Sequence, residues 1–114
     1  MHKPVIRSVE KQDDRVVMQL SIPAGLAYFK GHFPGNPVLP GVVQTHWAIH
    51  FACEYLGTPE TIQKLEVVKF QNLILPGMDL VLTLELKANG KLQFSYQCDE
   101  KRMSSGRIVF RGQK

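Results

Sequence analysis

One stretch of the chain, residues 41 to 56, constrains the fold more than any other. Its sequence, GVVQTHWAIHFACEYL, distributes apolar side chains around the whole circumference of a helix rather than along one face. Pro40 suits the first helical position, and the Gly-Thr-Pro run at residues 57 to 59 favours a stop. Because a helix that is apolar on nearly every side must be surrounded by protein, the rest of the chain has to wrap around it.

The segments on both sides of this helix favour β-strands. Most of them alternate between apolar and polar residues, which is the period of a half-buried strand, and Asn89-Gly90 is a strong hairpin signal. We expect two strands, a loop, the helix and then four strands with short connections, which makes an α+β fold with an antiparallel sheet curled around one central helix. The strands after the first are predicted at residues 15 to 22, 62 to 75, 78 to 87, 91 to 99 and 107 to 111.

The size and charge of the chain limit its function. A length of 114 residues favours one domain, residues 1 to 114. The 14 basic and 10 acidic residues give a net charge of +4, and the basic residues are scattered, which argues against nucleic-acid binding. A mild positive charge is compatible with a small acidic partner protein. Because the edge strands of such a sheet are commonly paired, we also expect a dimer.

The cellular setting follows from the cysteines and the termini. Two cysteines are too few for a disulfide framework or a four-thiolate zinc site. The start, MHKPVIRSVE, lacks the features of a signal peptide, and the apolar helix is shorter and more polar than a bilayer span. We therefore expect a cytoplasmic protein that does not insert into membranes.

The segment before the helix, GHFPGNPVLPG at residues 31 to 41, is the first candidate for chemistry. Its prolines restrict their own backbone and that of the preceding residues, so His32 lies in a conformationally restricted loop. Gly41 follows Pro40 at the helix start, where N–H groups have no helical acceptor and the helix dipole favours negative charge. Without a β-carbon, Gly41 lets a ligand oxygen approach its N–H, which indicates an oxyanion site.

This loop, leading directly into an apolar helix, resembles the signature of the hotdog-fold 3-hydroxyacyl-[acyl carrier protein] dehydratases. The later tract VVKFQNLILPGMDLVLTLEL resembles their strand, Pro-Gly turn and strand, and the resemblance covers roughly residues 5 to 111. It implies a hotdog fold and a hydro-lyase that forms a trans-2-enoyl thioester. It also implies an acyl carrier protein as partner and no cofactor beyond the phosphopantetheine that carries the substrate.

The resemblance also implies roles for particular residues. His32 matches the family's base, which removes the α-proton, and Gly41 matches the glycine whose N–H polarises the thioester carbonyl. The family's acid corresponds to His46, and an imidazolium can donate a proton to a departing hydroxyl. The family's glutamine one turn later corresponds to His50, on the same helix face.

With histidine in place of the acid, the sequence resembles the divergent dehydratases of aryl polyene biosynthesis. That resemblance implies substrates with an aryl or polyene chain and a homodimer, or a heterodimer with another hotdog subunit. Phe33, Pro34, His50 and Phe70 are the substrate-binding residues that it implies.

Four alternatives remain open at this stage. The same fold supports an acyl thioesterase, although the helix carries only Glu54 as a carboxylate, and the loss of the acid at position 46 would also fit a non-catalytic acyl-binding subunit. His46 and His50 have zinc-ligand spacing, but the glutamate of a HExxH site is missing and a third ligand is undefined, so we expect no metal. A nucleophilic Cys53 is disfavoured because we expect it to face the core.

Overall fold

The structure, a computed structural model, describes residues 2–26 and 38–112. In these ranges, six strands form one antiparallel sheet of order β1-β2-β4-β5-β6-β3, and one helix packs on it. The predicted α+β hotdog class is confirmed. The elements are β1 Val5–Gln12, β2 Arg15–Ser21, α1 Gly41–Leu56, β3 Ile62–Phe70, β4 Asp79–Leu86, β5 Leu92–Cys98 and β6 Lys101–Phe110.

Alternation along the strands produces the core. Met18, Leu82 and Tyr96 occupy one row across β2, β4 and β5, and all three are buried against the helix side of the sheet. Their chain neighbours point to the other face, as the period of two requires. On α1, Trp47 and Phe51 are buried in the same core.

The helix itself departs from the prediction in two ways. Pro40 is the N-cap rather than the first helical residue, because its ψ of 146° is extended. In the single chain, one narrow face of the helix is also exposed. Val42 is 76% exposed, and His46, four residues later, is exposed on the same side of the helix. The predicted end is correct, since Gly57 adopts the left-handed conformation that closes a helix.

Strand β3 ends at Phe70, five residues earlier than predicted. The N–H groups of Gln71 and Asn72 both donate to the carbonyl oxygen of Met103, at 2.9 and 3.1 Å. The regular pairing of β3 with β6 therefore ends here. Farther on, the carbonyl of Ile74 accepts the N–H of Leu39 at 2.8 Å. The segment after β3 therefore runs to the residues that precede the helix. Within the described ranges, no helix is long and apolar enough to cross a bilayer.

A β-bulge lies where β3 pairs with β6. The register shifts between Glu66 and Lys69, and Val67 takes a positive φ of 45° in that interval. Opposite the bulge, a Cβ on Gly106 would lie 2.7 Å from Cε2 of Phe94 and 3.0 Å from Cγ2 of Val68. Glycine at position 106 is thus required by the packing of the core on this strand.

We predict that Gly106→Ala lowers the free energy of unfolding by about 1–3 kcal/mol, because the added methyl overpacks against the buried Phe94 ring. Gly25→Ala is the matched control, since no described atom lies within 4 Å of the position that its methyl would take. We expect it to change stability by about 0.5 kcal/mol or less. Urea denaturation of both variants measures the difference, and equal midpoints would contradict the prediction.

Candidate active site

The first turn of α1 presents backbone N–H groups that the helix does not use. The carbonyl oxygen of Pro40 accepts the N–H of Val43 at 3.1 Å and that of Gln44 at 3.2 Å. The N–H groups of Gly41 and Val42 precede these bonds and have no intrahelical acceptor. Among the residues that the structure describes, no side chain caps Pro40, and the first turn contains no acidic residue. The positive end of the 16-residue helix is therefore available to a negatively charged oxygen.

The ring of Phe70 packs directly on Gly41. A Cβ on this glycine would lie 2.6 Å from Cζ and 2.8 Å from Cε1 of the ring, so only glycine permits the contact. Phe70 is nevertheless 54% exposed, because it ends the edge strand β3. The structure thus brings two predicted site residues together at the helix start. Their roles in carbonyl and acyl binding stay predictions.

His46 and His50 lie one turn apart on the same helix face, as their spacing predicts. His46 is exposed and His50 is half-buried, with its ring edge-on to Phe51 at a centroid distance of 5.4 Å. Both imidazoles line a small cavity of about 90 Å³, together with Lys3 and Trp47. Position 46 is five residues from Gly41, which is about 7.5 Å along a helix axis.

The N-terminal segment lines the same cavity. The sequence did not indicate this contribution. The indole N–H of Trp47 donates to the carbonyl oxygen of His2 at 3.2 Å, and His2 lines the same cavity as the two helix histidines. The sequence offered one signal for this contact, because a buried indole N–H usually finds an acceptor and Trp47 lies in the apolar helix.

The metal and thiol alternatives gain no support from the described part of the chain. No group of three or more His, Cys, Asp or Glu side chains there could hold a metal ion. Cys53 is half-buried rather than facing the core as expected. Burial raises the pKa of its thiol, and the carboxylates of Glu60 and Glu54 raise it further. A higher pKa leaves less thiolate, so nucleophilic attack by Cys53 is disfavoured.

Some predicted site residues lie outside the described ranges, and one cluster near the site was not predicted. His32, Phe33 and Pro34 lie outside the described residues, so their roles stay predictions. The sequence also missed a buried polar cluster under the first turn of α1. In this cluster Gln44 bonds to Leu39 and accepts hydrogen bonds from Tyr96 and Ser104.

A single antiparallel sheet packed against one helix, with two histidines on one face of that helix, defines the class as a hotdog protein. The family model described as ApeI-like, ApeI dehydratase, matches residues 8–107. The chain therefore belongs to the ApeI-like dehydratase family. This confirms, at the level of the family, the predicted 3-hydroxyacyl carrier protein dehydratase class and its likeness to aryl polyene dehydratases.

Individual relatives support the same assignment. The 3-hydroxyacyl-[acyl-carrier-protein] dehydratase FabZ of Streptococcus equi subsp. zooepidemicus is 30% identical over 93% of this chain and 84% of its own length. The Enterococcus faecalis enzyme of the same name is 39% identical, over 64% of this chain and only 57% of its own length. A structure of the dehydratase heterocomplex ApeI:P from Xenorhabdus doucetiae matches with a TM-score of 0.87 and 34% identity, covering 94% of this chain and 96% of that chain.

We predict that Gly41→Ala displaces the Phe70 ring without unfolding the chain. The ring is half exposed and can rotate away, so we expect a stability loss of about 0.5 kcal/mol or less. The new methyl and the displaced ring occupy space that a ligand oxygen needs to reach the N–H, and we expect the dehydration rate to fall about tenfold. Thermal unfolding and steady-state kinetics measure the two effects. A large stability loss with a normal rate for the folded fraction would contradict this prediction.

Proposed function

We propose that this chain dehydrates a 3-hydroxyacyl thioester carried by an acyl carrier protein and forms a trans-2-enoyl thioester, in biosynthesis of the fatty acid or aryl polyene type. The observation that carries the proposal is the uncapped start of α1 at Gly41, on the same helix as His46. The names of the relatives agree with this reaction. The reaction needs no redox or metal chemistry, so phosphopantetheine on the carrier protein is the only prosthetic group.

The proposed chemistry assigns one role to each group. His32 removes a proton from C2, and the electron pair of that C–H bond shifts toward the thioester carbonyl, whose oxygen becomes negative. The N–H of Gly41 and the helix dipole stabilise this oxygen. The C3–O bond then breaks, and His46 as an imidazolium supplies the proton that turns the leaving hydroxyl into water. The electrons return to form the C2–C3 double bond.

The substrate positions in this proposal follow the described contacts. Phe70 lies on Gly41, so an acyl thioester whose carbonyl meets the Gly41 N–H also contacts this ring. His50 adjoins the cavity that His46 lines, and there it can hold the leaving hydroxyl or the released water. Phe33 and Pro34 complete the proposed acyl-binding residues, on the strength of the family resemblance alone.

The partners in the proposal are an acyl carrier protein and a second hotdog subunit. A net charge of +4 favours an acidic carrier protein, since complementary charge steers encounter. The relative from Xenorhabdus doucetiae is described as part of a heterocomplex, so a different hotdog subunit is an alternative to a second copy. Cys53 and Cys98 are both free thiols, which suits the reducing cytoplasm that we propose as the location.

The surface for a second subunit is the unpaired edge of β3. This strand ends the sheet, and apolar side chains on and beyond it are exposed, including Leu65, Val67 and Leu73. Val67 is 63% exposed at the bulge. Unpaired apolar edges are usually covered in the assembled protein. We therefore propose that a second copy of the chain binds along β3.

We predict that Val67→Lys converts a dimer into monomers, because it introduces a charge on the proposed interface. Ile6→Lys is the matched control, since Ile6 is an exposed apolar residue on β1, the opposite edge of the sheet. Light scattering after size exclusion should give twice 12.9 kDa for the wild type and the control. A wild-type mass of one protomer would exclude the homodimer and leave a different hotdog subunit as the partner.

The function is tested with a panel of 3-hydroxyacyl carrier protein thioesters bearing fatty or aryl chains, analysed by mass spectrometry. We expect loss of one water with the wild type, and a rate about 10²–10⁴-fold lower with His32→Ala or His46→Ala. Loss of the acyl group instead would identify a thioesterase. No turnover by the chain, alone or with a second hotdog subunit, would indicate a non-catalytic subunit, and an unchanged rate in His32→Ala would remove the proposed base.

A further inference from the structure

Three strands meet the first turn of α1 along a single row of the sheet. Tyr96 on β5 pairs with Ser104 on β6, and Ser104 pairs in turn with Phe70 on β3. Tyr96 and Ser104 both contact Gln44, while Phe70 packs on Gly41. The start of the helix therefore packs on one row of paired side chains that crosses β5, β6 and β3.

Gln44 is the centre of this contact and is only 4% exposed. Its Nε2 donates to the carbonyl oxygen of Leu39 at 3.1 Å, and its Oε1 accepts the Oγ–H of Ser104 at 2.6 Å. The carbonyl oxygen of Gln44 accepts the hydroxyl of Tyr96 at 2.7 Å. Ser104 and Tyr96 are themselves fully buried. A polar cluster in a core is tolerated when its members are bonded in this way.

The cluster holds the residue that precedes the helix cap. Leu39 immediately precedes Pro40, and its N–H is already bound to Ile74, so its carbonyl and amide are both fixed. Burial raises the pKa of Tyr96 well above its ordinary value, and the phenol therefore stays a donor to the helix across the physiological pH range. These bonds hold the start of the helix in place, although no described side chain caps Pro40.

We propose that Gln44, held by Ser104 and Tyr96, is a positioning residue that fixes the N–H of Gly41 for the negative oxygen of the reaction. The inference rests on the proposed function. Oxyanion donors act through their placement, and a small displacement of the donor lowers the rate even when the group remains present. A cluster that only stabilised the fold would change the unfolding temperature and leave the turnover of folded protein unaltered.

The test is a double-mutant cycle of Gln44→Met, Ser104→Ala and their combination. Each single change leaves a buried polar partner unbonded, whereas the combined change removes both side chains of that bond and recovers part of the stability. Thr58→Val is the control at the other end of the helix. Its buried Oγ1 has no hydrogen-bond partner among the described residues, so the change removes a buried polar atom without breaking a bond.

We expect kcat of the folded enzyme to fall about tenfold in Gln44→Met and to stay low in the combined variant, while KM changes less than about twofold. The unfolding temperature of the combined variant should recover toward that of the wild type, and Thr58→Val should keep wild-type kcat. If Gln44→Met does not fold, Ser104→Ala and Tyr96→Phe each remove one bond at nearly constant volume, and each should lower kcat about threefold.

Two results would overturn the inference, and they are distinguishable. An active wild type with an equally active combined variant, or with equally active Ser104→Ala and Tyr96→Phe variants, overturns the positioning role alone. A wild type that forms no enoyl product, alone or with a second hotdog subunit, overturns the proposed function and the positioning role together.

Discussion

The site depends on a helix end whose first N–H groups stay available while the end itself is held in place. Side-chain caps usually stabilise such an end by occupying those N–H groups, and an acidic residue in the first turn would neutralise the helix dipole. The described part of the chain provides neither at Pro40 and Gly41. Two hydrogen bonds of the Gln44 side chain hold the first turn instead. One joins it to Ser104 on the sheet, and the other joins it to Leu39, which precedes the helix. The donors at Gly41 are thereby kept for a ligand.

The fold supplies that support through strand order. Because β6 lies between β5 and β3, Ser104 has Tyr96 on one side and Phe70 on the other. Alternation then directs all three side chains to the helix face. The bulge at Val67 lies earlier in β3 and leaves the pairing of Phe70 with Ser104 intact. Gly106 accommodates the bulge by allowing Phe94 to approach closely. The packing at the bulge and the support of the first turn of α1 thus involve the same three strands, β5, β6 and β3.

Much of this could be predicted from the sequence, and what could not has a physical reason. Local patterns predicted α1 to its last residue, because a long apolar tract that ends at Gly57 is decided by nearby residues. Spacing placed His46 and His50 on one face for the same reason. Other features depend on partners that are distant in the sequence. These are the end of β3, the contact of His2 with Trp47 and the hydrogen bonds of Gln44. Alternation assigned Tyr96 to the core but could not indicate what its hydroxyl meets.

The location of Phe70 connects assembly with chemistry. Its ring touches Gly41, yet its strand is the unpaired edge of the sheet, where a further strand would lie about 4.8 Å away. A subunit bound along β3 would therefore lie next to Gly41, whose N–H is the proposed oxyanion donor. It would also restrict the freedom of a ring that is half exposed in the single chain. The proposed proton transfer from His46 to a leaving hydroxyl would be favoured where water is excluded, and His46 is exposed in the single chain. Subunit pairing and completion of the site are thus expected to be one event.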